Sequence, residues 1–218
     1  MRKINYWEKF EEESIYHLYN RGINGTTIFK EDENYQFFLT KWSKLIHPYF
    51  ETLAYCLMPN HFHFLIKVKP LSDELMKEVA AEVTSKSIQF FENKIDHNSF
   101  LEDQFKRLFS SYALAFNKQE DRTGSLFQKR FKRVSIKHES KLWHILAYIH
   151  HNPIHHNFEA DYASWKYSSY NSFLSDKSTL LSRDLVLSWF DGDLEIGKKE
   201  FIELHKTFKI DVSENYLE

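Results

Sequence analysis

Two histidines one residue apart, His61-Phe62-His63, follow Met58-Pro59-Asn60 and precede Leu65-Ile66-Lys67-Val68. In an extended strand side chains alternate between faces, so His61, His63 and Leu65 point one way and Phe62, Phe64 and Ile66 the other. Two imidazoles side by side can each offer a nitrogen to one metal ion. A lone His-x-His is a weak motif, and two half-buried histidines on a sheet satisfy the same spacing. A second candidate is Tyr148, with Asn152 four residues on and therefore on the same side of a helix. By itself it also reads as a boundary tyrosine of intermediate burial. A third is Phe127-Gln128-Lys129-Arg130-Phe131-Lys132-Arg133, which mixes rings with bases. Stacking plus phosphate neutralisation is what single-stranded DNA requires, although an amphipathic strand with a solvated basic face has the same composition.

The elements that must position these groups follow from periodicity and turn chemistry. Tyr16 to Arg21 reads as a first strand, followed by the turn-rich Gly22-Ile23-Asn24-Gly25. Asp32 is placed to cap a helix carrying Tyr35, Phe38, Leu39, Trp42 and Leu45 at helical spacing, with Pro48 at its end. The Pro59-Asn60 pair breaks a β-hairpin, one strand ending near Leu57 and the next starting near His61. Ser72-Asp73-Glu74 opens a further helical stretch. A longer helix runs from about Phe100 to Asn117, then a loop from Asp121 to Gly124, then a strand from Leu126 to Ile136. A last helix spans about Glu139 to Asn152 and stops before Pro153, because a residue preceding proline disfavours the helical conformation. Leu142, Ile145, Leu146 and Ile149 form its core stripe, with Tyr148 roughly 110° and Asn152 roughly 70° from the stripe's centre. Tyr148 is therefore expected beside the core face. The order β, α, β-hairpin, α, β, α predicts an α+β sandwich, helices on an antiparallel sheet. Residues 1–175 read as the main domain and 176–218 as a helical C-terminal extension.

With 218 residues, 42% hydrophobic and 17% aromatic, the chain is expected to fold around a sizeable core. A single cysteine, Cys56, leaves no internal disulfide and suits a reducing cytoplasm. The N-terminus lacks a signal-peptide apolar core, and no apolar run approaches the ~18 residues of a membrane span. The net charge of −2 argues against a generic nucleic-acid binder. The charge is unevenly placed, however. Gln104 to Lys137 carries nine bases against Glu120 and Asp121, whereas Asp176 to Glu218 carries ten acids and six bases. Local concentration matters more than the total for a phosphate backbone.

Met58-Pro59-Asn60-His61-Phe62-His63 resembles the HUH motif (His, hydrophobic, His) of single-tyrosine transposases, and most of all the REP-associated tyrosine transposases and their insertion-sequence relatives. Tyr19-Asn20-Arg21-Gly22, Arg122-Thr123-Gly124-Ser125-Leu126-Phe127-Gln128-Lys129-Arg130-Phe131, Tyr148-Ile149-His150-His151-Asn152-Pro153 and Trp165-Lys166-Tyr167-Ser168-Ser169-Tyr170 follow in the family's order. The resemblance covers about Tyr16 to Phe173. It implies a ferredoxin-like core with the histidines on a central strand and Tyr148 as the nucleophile. It also implies Mg2+ or Mn2+ on His61 and His63, with Asn152 the candidate third ligand. Single-stranded or hairpin DNA is the implied substrate, nicked and rejoined through a 5′-phosphotyrosine bond. Arg21, Arg122, Lys129, Arg130, Lys132 and Arg133 are the candidate DNA contacts. His144, His150, His151, His155 and His156 surround Tyr148 in sequence and are read mostly as surface or DNA-facing. His150-His151 and His155-His156 depart from the family's more usual apolar or basic residues. Two alternatives remain at this point: a hairpin-DNA-binding protein of the same fold without turnover, and a small metallohydrolase needing the histidines but not Tyr148. Monomer and homodimer are equally compatible with the sequence.

Overall fold

The computed structural model describes residues 5–70, 72, 96–191 and 193–209. The helix expected from Ser72 onward lies outside them, Ser72 itself excepted. The strands are β1 (Ile15–Arg21), β2 (Phe50–Met58), β3 (His61–Val68) and β4 (Lys132–Ile136). The helices are α1 (Asp32–Leu45), α2 (His97–Gln119), α3 (Glu139–His155), α4 (Tyr170–Leu174), α5 (Arg183–Asp191) and α6 (Leu194–Thr207). One antiparallel sheet runs in the order β2-β3-β1-β4. This is the expected α+β, β-α-β-β-α-β ferredoxin-like arrangement.

Helices cover both faces of the sheet, which explains why β3 reads as a nearly continuous apolar run. Phe62, Phe64 and Ile66 join Phe38 and Trp42 of α1 and Phe105 and Leu108 of α2 in one cluster. Trp42 stacks on Phe64 with ring centroids 3.6 Å apart. Fully burying one such side chain contributes about 1.5–3 kcal/mol. On the opposite face Leu65 packs with Leu142, Ile145, Leu146 and Ile149 of α3, and the same cluster takes in Val186 and Leu187 of α5 and Phe201 of α6. Among the described residues after 176, α5 and α6 are the helices expected there, and they share this core with α3.

The β2–β3 turn is clamped by the segment after β1. The Pro59 carbonyl accepts from Ile28 N at 2.7 Å and Phe29 N at 2.9 Å, and the Asn60 carbonyl from Gly22 N at 2.8 Å. A Cβ at Gly22 would sit 2.0 Å from the Thr26 carbonyl oxygen, so only glycine fits this close approach. Both sheet edges are also covered. Leu57 N donates to the Tyr167 carbonyl at 3.0 Å and Ser169 N to the Tyr55 carbonyl at 2.9 Å, laying residues 165–169 along β2. On the other side Arg133 N donates to the Tyr6 carbonyl at 2.9 Å, laying the N-terminal segment along β4.

Several local expectations are corrected. The N-cap of α1 is Glu31, in a capping box with Asn34; Asp32 is the first helical residue and binds Lys166 and Tyr167 instead. The strand expected from Leu126 begins only at Lys132. Phe127 makes an isolated bridge to Gly22, then the chain bends at the exposed Lys129 and Arg130 and pairing lapses. Helix α3 continues through Pro153 to His155. Its final turn survives the missing proline N–H because His156 N bonds the Asn152 carbonyl at 3.0 Å and Phe158 N the Pro153 carbonyl at 2.8 Å. Asn157, at φ 57°, ends the turn in the left-handed region.

Candidate active site

The β1–β3 register sets Tyr19 opposite His63, Arg21 opposite His61 and His17 opposite Leu65. Alternation then puts His17, Tyr19, His61 and His63 on the sheet face that α3 covers. The His61 and His63 rings lie 5.2 Å apart and nearly perpendicular, at 87°. From α3, Asn152 Oδ1 reaches within 3.2 Å of His61 Nε2, while its Nδ2 donates to the Tyr148 carbonyl at 3.0 Å. Asn152 thus bridges strand and helix. The Tyr148 ring meets His63 edge to face, centroids 5.5 Å apart at 89°. The fold brings His61, His63, Tyr148 and Asn152 into one site.

Sequence reasoning missed His17. Its Nε2 is 2.9 Å from His63 Nδ1, its ring stacks on His63 at 5.1 Å, and it is 1% exposed. The alternation of β1 puts His17 and Tyr19 on one face together, and the register against β3 makes it the histidine face. Burial pushes the His17 and His61 pKa values down to about 3 and that of His63 well below its usual value. Nearby cations and imidazoles add to the effect: Lys141 for His17, His156 for His61, and His17 for His63. The neutral form that results at pH 7 is the ligating form of imidazole. If His63 donates its Nδ1–H to His17, its Nε2 lone pair is free for a metal; this is the usual outer partner of a ligating histidine.

Among the described residues no group of three or more His, Cys, Asp or Glu could hold a metal ion. The available donors are therefore the two imidazoles and the Asn152 amide oxygen. Two adjacent ligands with bonds of about 2.1–2.2 Å at right angles lie roughly 3 Å apart; His61 Nε2 and Asn152 Oδ1 are 3.2 Å apart. The residues fit a divalent ion whose remaining positions take non-protein oxygens, and the nitrogen content suits Mn2+ better than Mg2+.

No protein-family model matches the chain. A Haemophilus influenzae protein described as a "Putative REP-associated tyrosine transposase" is 28% identical over 127 residues, which are 57% of this chain and 61% of the relative. A solved structure, "Structure of the REP associates tyrosine transposase bound to a REP hairpin", superposes with a TM-score of 0.52. It covers 80% of this chain and 87% of its own, at 16% identity, a likeness of fold. The chain is similar in sequence to the first and in fold to the second. It spans about three-fifths of the curated relative's length.

The residues that the transposase resemblance marked for DNA divide into two groups. Arg21 and Lys132 line a cavity of about 40 Å³ together with Tyr19, Asn20, Gln128, His61, His63 and His156. Lys129 and Arg130 are exposed on the wall of an adjoining groove of about 770 Å³. Arg122 is occupied with its own loop, donating to Asn117 Oδ1 at 3.1 Å and the Ser125 carbonyl at 3.2 Å. Arg133 turns inward. It is 3% exposed, paired with Glu102 and the Glu8 carbonyl, and lies 4.2 Å over the Phe10 ring. A guanidinium so buried and paired is not presented to a phosphate.

Two further expectations change. Tyr148 is 1% exposed, in the core and not beside it. His150 and His151 are buried, not surface residues. The causes differ: Tyr148 lies against His17 and His63 of the sheet, whereas His150 and His151 are covered by α6. His150 Nδ1 is 2.7 Å from His205 Nε2 of α6.

Proposed function

We propose that this chain is a metal-dependent DNA strand transferase that nicks and rejoins single-stranded or hairpin DNA through Tyr148. The observation that carries the reading is the 3.2 Å contact between His61 Nε2 and Asn152 Oδ1, which sets Tyr148, one turn before Asn152, against the histidine pair. Tyr148 Oη forms a bond to phosphorus while the bond from phosphorus to the 3′ oxygen breaks. The phenol gives up its proton and the leaving oxygen gains one. One strand end is left as a 5′-phosphotyrosine and the other as a 3′-hydroxyl. Attack by a second 3′-hydroxyl reverses the step and frees Tyr148, so the number of phosphodiester bonds is conserved and no nucleotide triphosphate is consumed. His61, His63 and Asn152 would hold Mg2+ or Mn2+, which withdraws charge from the phosphate oxygens. Because Asn152 and Tyr148 share one helix, holding the first also positions the second. Arg21 and Lys132 flank the cavity and supply positive charge to the DNA backbone.

The burial of Tyr148 favours a second reading, a hairpin-DNA-binding protein without turnover, since the phenol must come out of the core to meet a phosphate. One experiment separates the two. End-labelled hairpin DNA with single-stranded flanks is incubated with the protein and Mn2+, then denatured and resolved on a gel. A covalent adduct that Tyr148→Phe abolishes, with binding retained, supports the transferase. Binding without cleavage supports the second reading, and cleavage without an adduct points to hydrolysis by activated water.

A further inference from the structure

We infer that the N-terminal segment along β4 is a nucleotide-stacking platform, with Trp7 receiving an unpaired DNA base on the strand that leads to the Tyr148 site; this rests on the DNA reading above. Trp7 is the most exposed aromatic side chain among the described residues, at 48%. An indole left half in water within a basic surface is available to a ligand that is flat and anionic. The Arg130 guanidinium lies 5.8 Å from the Trp7 ring centroid, so a base on the indole would have a cation beside its phosphate. The backbone at Trp7 is also fixed: it bridges to Arg133 in parallel pairing, next to the bond from Arg133 N to the Tyr6 carbonyl.

A continuous run of rings and cations connects this platform to the candidate active site. Tyr6 meets Trp7 edge on, centroids 6.4 Å apart. Lys132 Nζ lies 5.1 Å over Tyr6 and 5.4 Å over Tyr19. Tyr19 in turn stacks on His63 at 5.5 Å and 21°. Trp7 lines the large groove, and Asn20 and Gln128 line both that groove and the cavity of His61 and His63. Of these rings Trp7 alone is exposed, Tyr19 and His63 being buried, so one open π-face beside cations takes an unpaired base without reading its sequence. Paired bases in a duplex stack on each other and offer no face to the indole, so the platform selects the unpaired flank.

The test uses the full chain with two DNAs, a blunt hairpin and the same hairpin with a single-stranded extension, followed by fluorescence anisotropy. Trp7→Ala should weaken binding of the extended DNA roughly tenfold or more, the usual worth of one base on one ring, and leave the blunt hairpin unchanged. Trp7→Phe, which keeps a ring, should recover most of the loss. A 2-aminopurine in the extension should be quenched by the unsubstituted chain and not by Trp7→Ala. Equal loss on both DNAs, or no loss on the extended one, overturns the platform while leaving the transferase reading standing. Failure of the unsubstituted chain to bind either DNA overturns both.

Discussion

His17 and His63 form a pair in which only one arrangement of protons permits metal binding. When His63 Nδ1–H donates to His17 Nε2, the proton of His17 sits on Nδ1, a buried atom with no hydrogen-bond partner. That unpaired donor is the cost of leaving His63 Nε2 open. His17→Phe keeps the ring's shape and removes the acceptor, so Mn2+ affinity measured by calorimetry should fall about 10–100-fold, the usual effect of losing an outer-shell partner. His17→Gln restores an acceptor and should recover part of it. Undiminished affinity in His17→Phe would show that His63 is oriented by packing alone. Asn152→Ala removes the remaining protein donor and should weaken the same binding while the Tyr148 adduct is lost. The shared face of the histidine pair and the shared side of Tyr148 and Asn152 were legible because one-residue and one-turn spacings map directly onto strand and helix geometry, whereas the choice of these four residues came from the family resemblance. His17 was not singled out because its role depends on which strand lies beside β3, a register fixed by tertiary packing.

At the scale of elements, the segment from Leu126 to Arg133 shows what charge counting misses. It was read as one basic strand, yet the chain bends at Lys129 and Arg130 and puts those two outside while Arg133 goes in. Sequence records the charge but not its direction. Lys129→Ala with Arg130→Ala should therefore reduce the salt dependence of DNA affinity by about 1.5–2 in the slope of log K against log salt. Arg133→Ala should leave that slope unchanged and lower thermal stability, because it strips bonds to Glu102 and the Glu8 carbonyl. A changed slope in Arg133→Ala would return it to the DNA surface. The turn after β1 supplies a second check. In Gly22→Ala the new methyl meets a backbone carbonyl that no side-chain rotation can move aside. The variant should lose about 1–3 kcal/mol or more, read as a fall in Tm. The clamp on Pro59 and Asn60 should loosen with it, so Mn2+ affinity at His61 should fall as well.

Across the whole molecule, α6 is tied through α3 to the sheet by a chain of hydrogen bonds with a single direction. His205 Nδ1–H donates to the Phe201 carbonyl at 2.7 Å, so His205 Nε2 accepts from His150 Nδ1 at 2.7 Å. His150 Nε2 then accepts from Ser169 Oγ at 2.8 Å, and Ser169 Oγ accepts from Tyr55 N of β2 at 2.9 Å. This chain works only with both imidazoles neutral, and burial holds them so: the His205 pKa is pushed down to about 3 and that of His150 lies well below its usual value. Unfolding returns each to about 6.5. Between the two values the unfolded chain binds more protons, so stability is present in full above about pH 6.5 and falls as the pH drops toward 3. The slope is about 1.4 kcal/mol per pH unit for each such histidine. Denaturant unfolding at pH 7.5 and pH 5 measures it without reaching the range where carboxylates titrate. His205→Phe should cost about 1–3 kcal/mol at pH 7.5, since His150 Nδ1 loses its acceptor, yet lose less than the unsubstituted chain between pH 7.5 and pH 5. The same loss in both proteins would mean that His205 does not contribute to the acid limit and that α6 is held by its apolar contacts with α3.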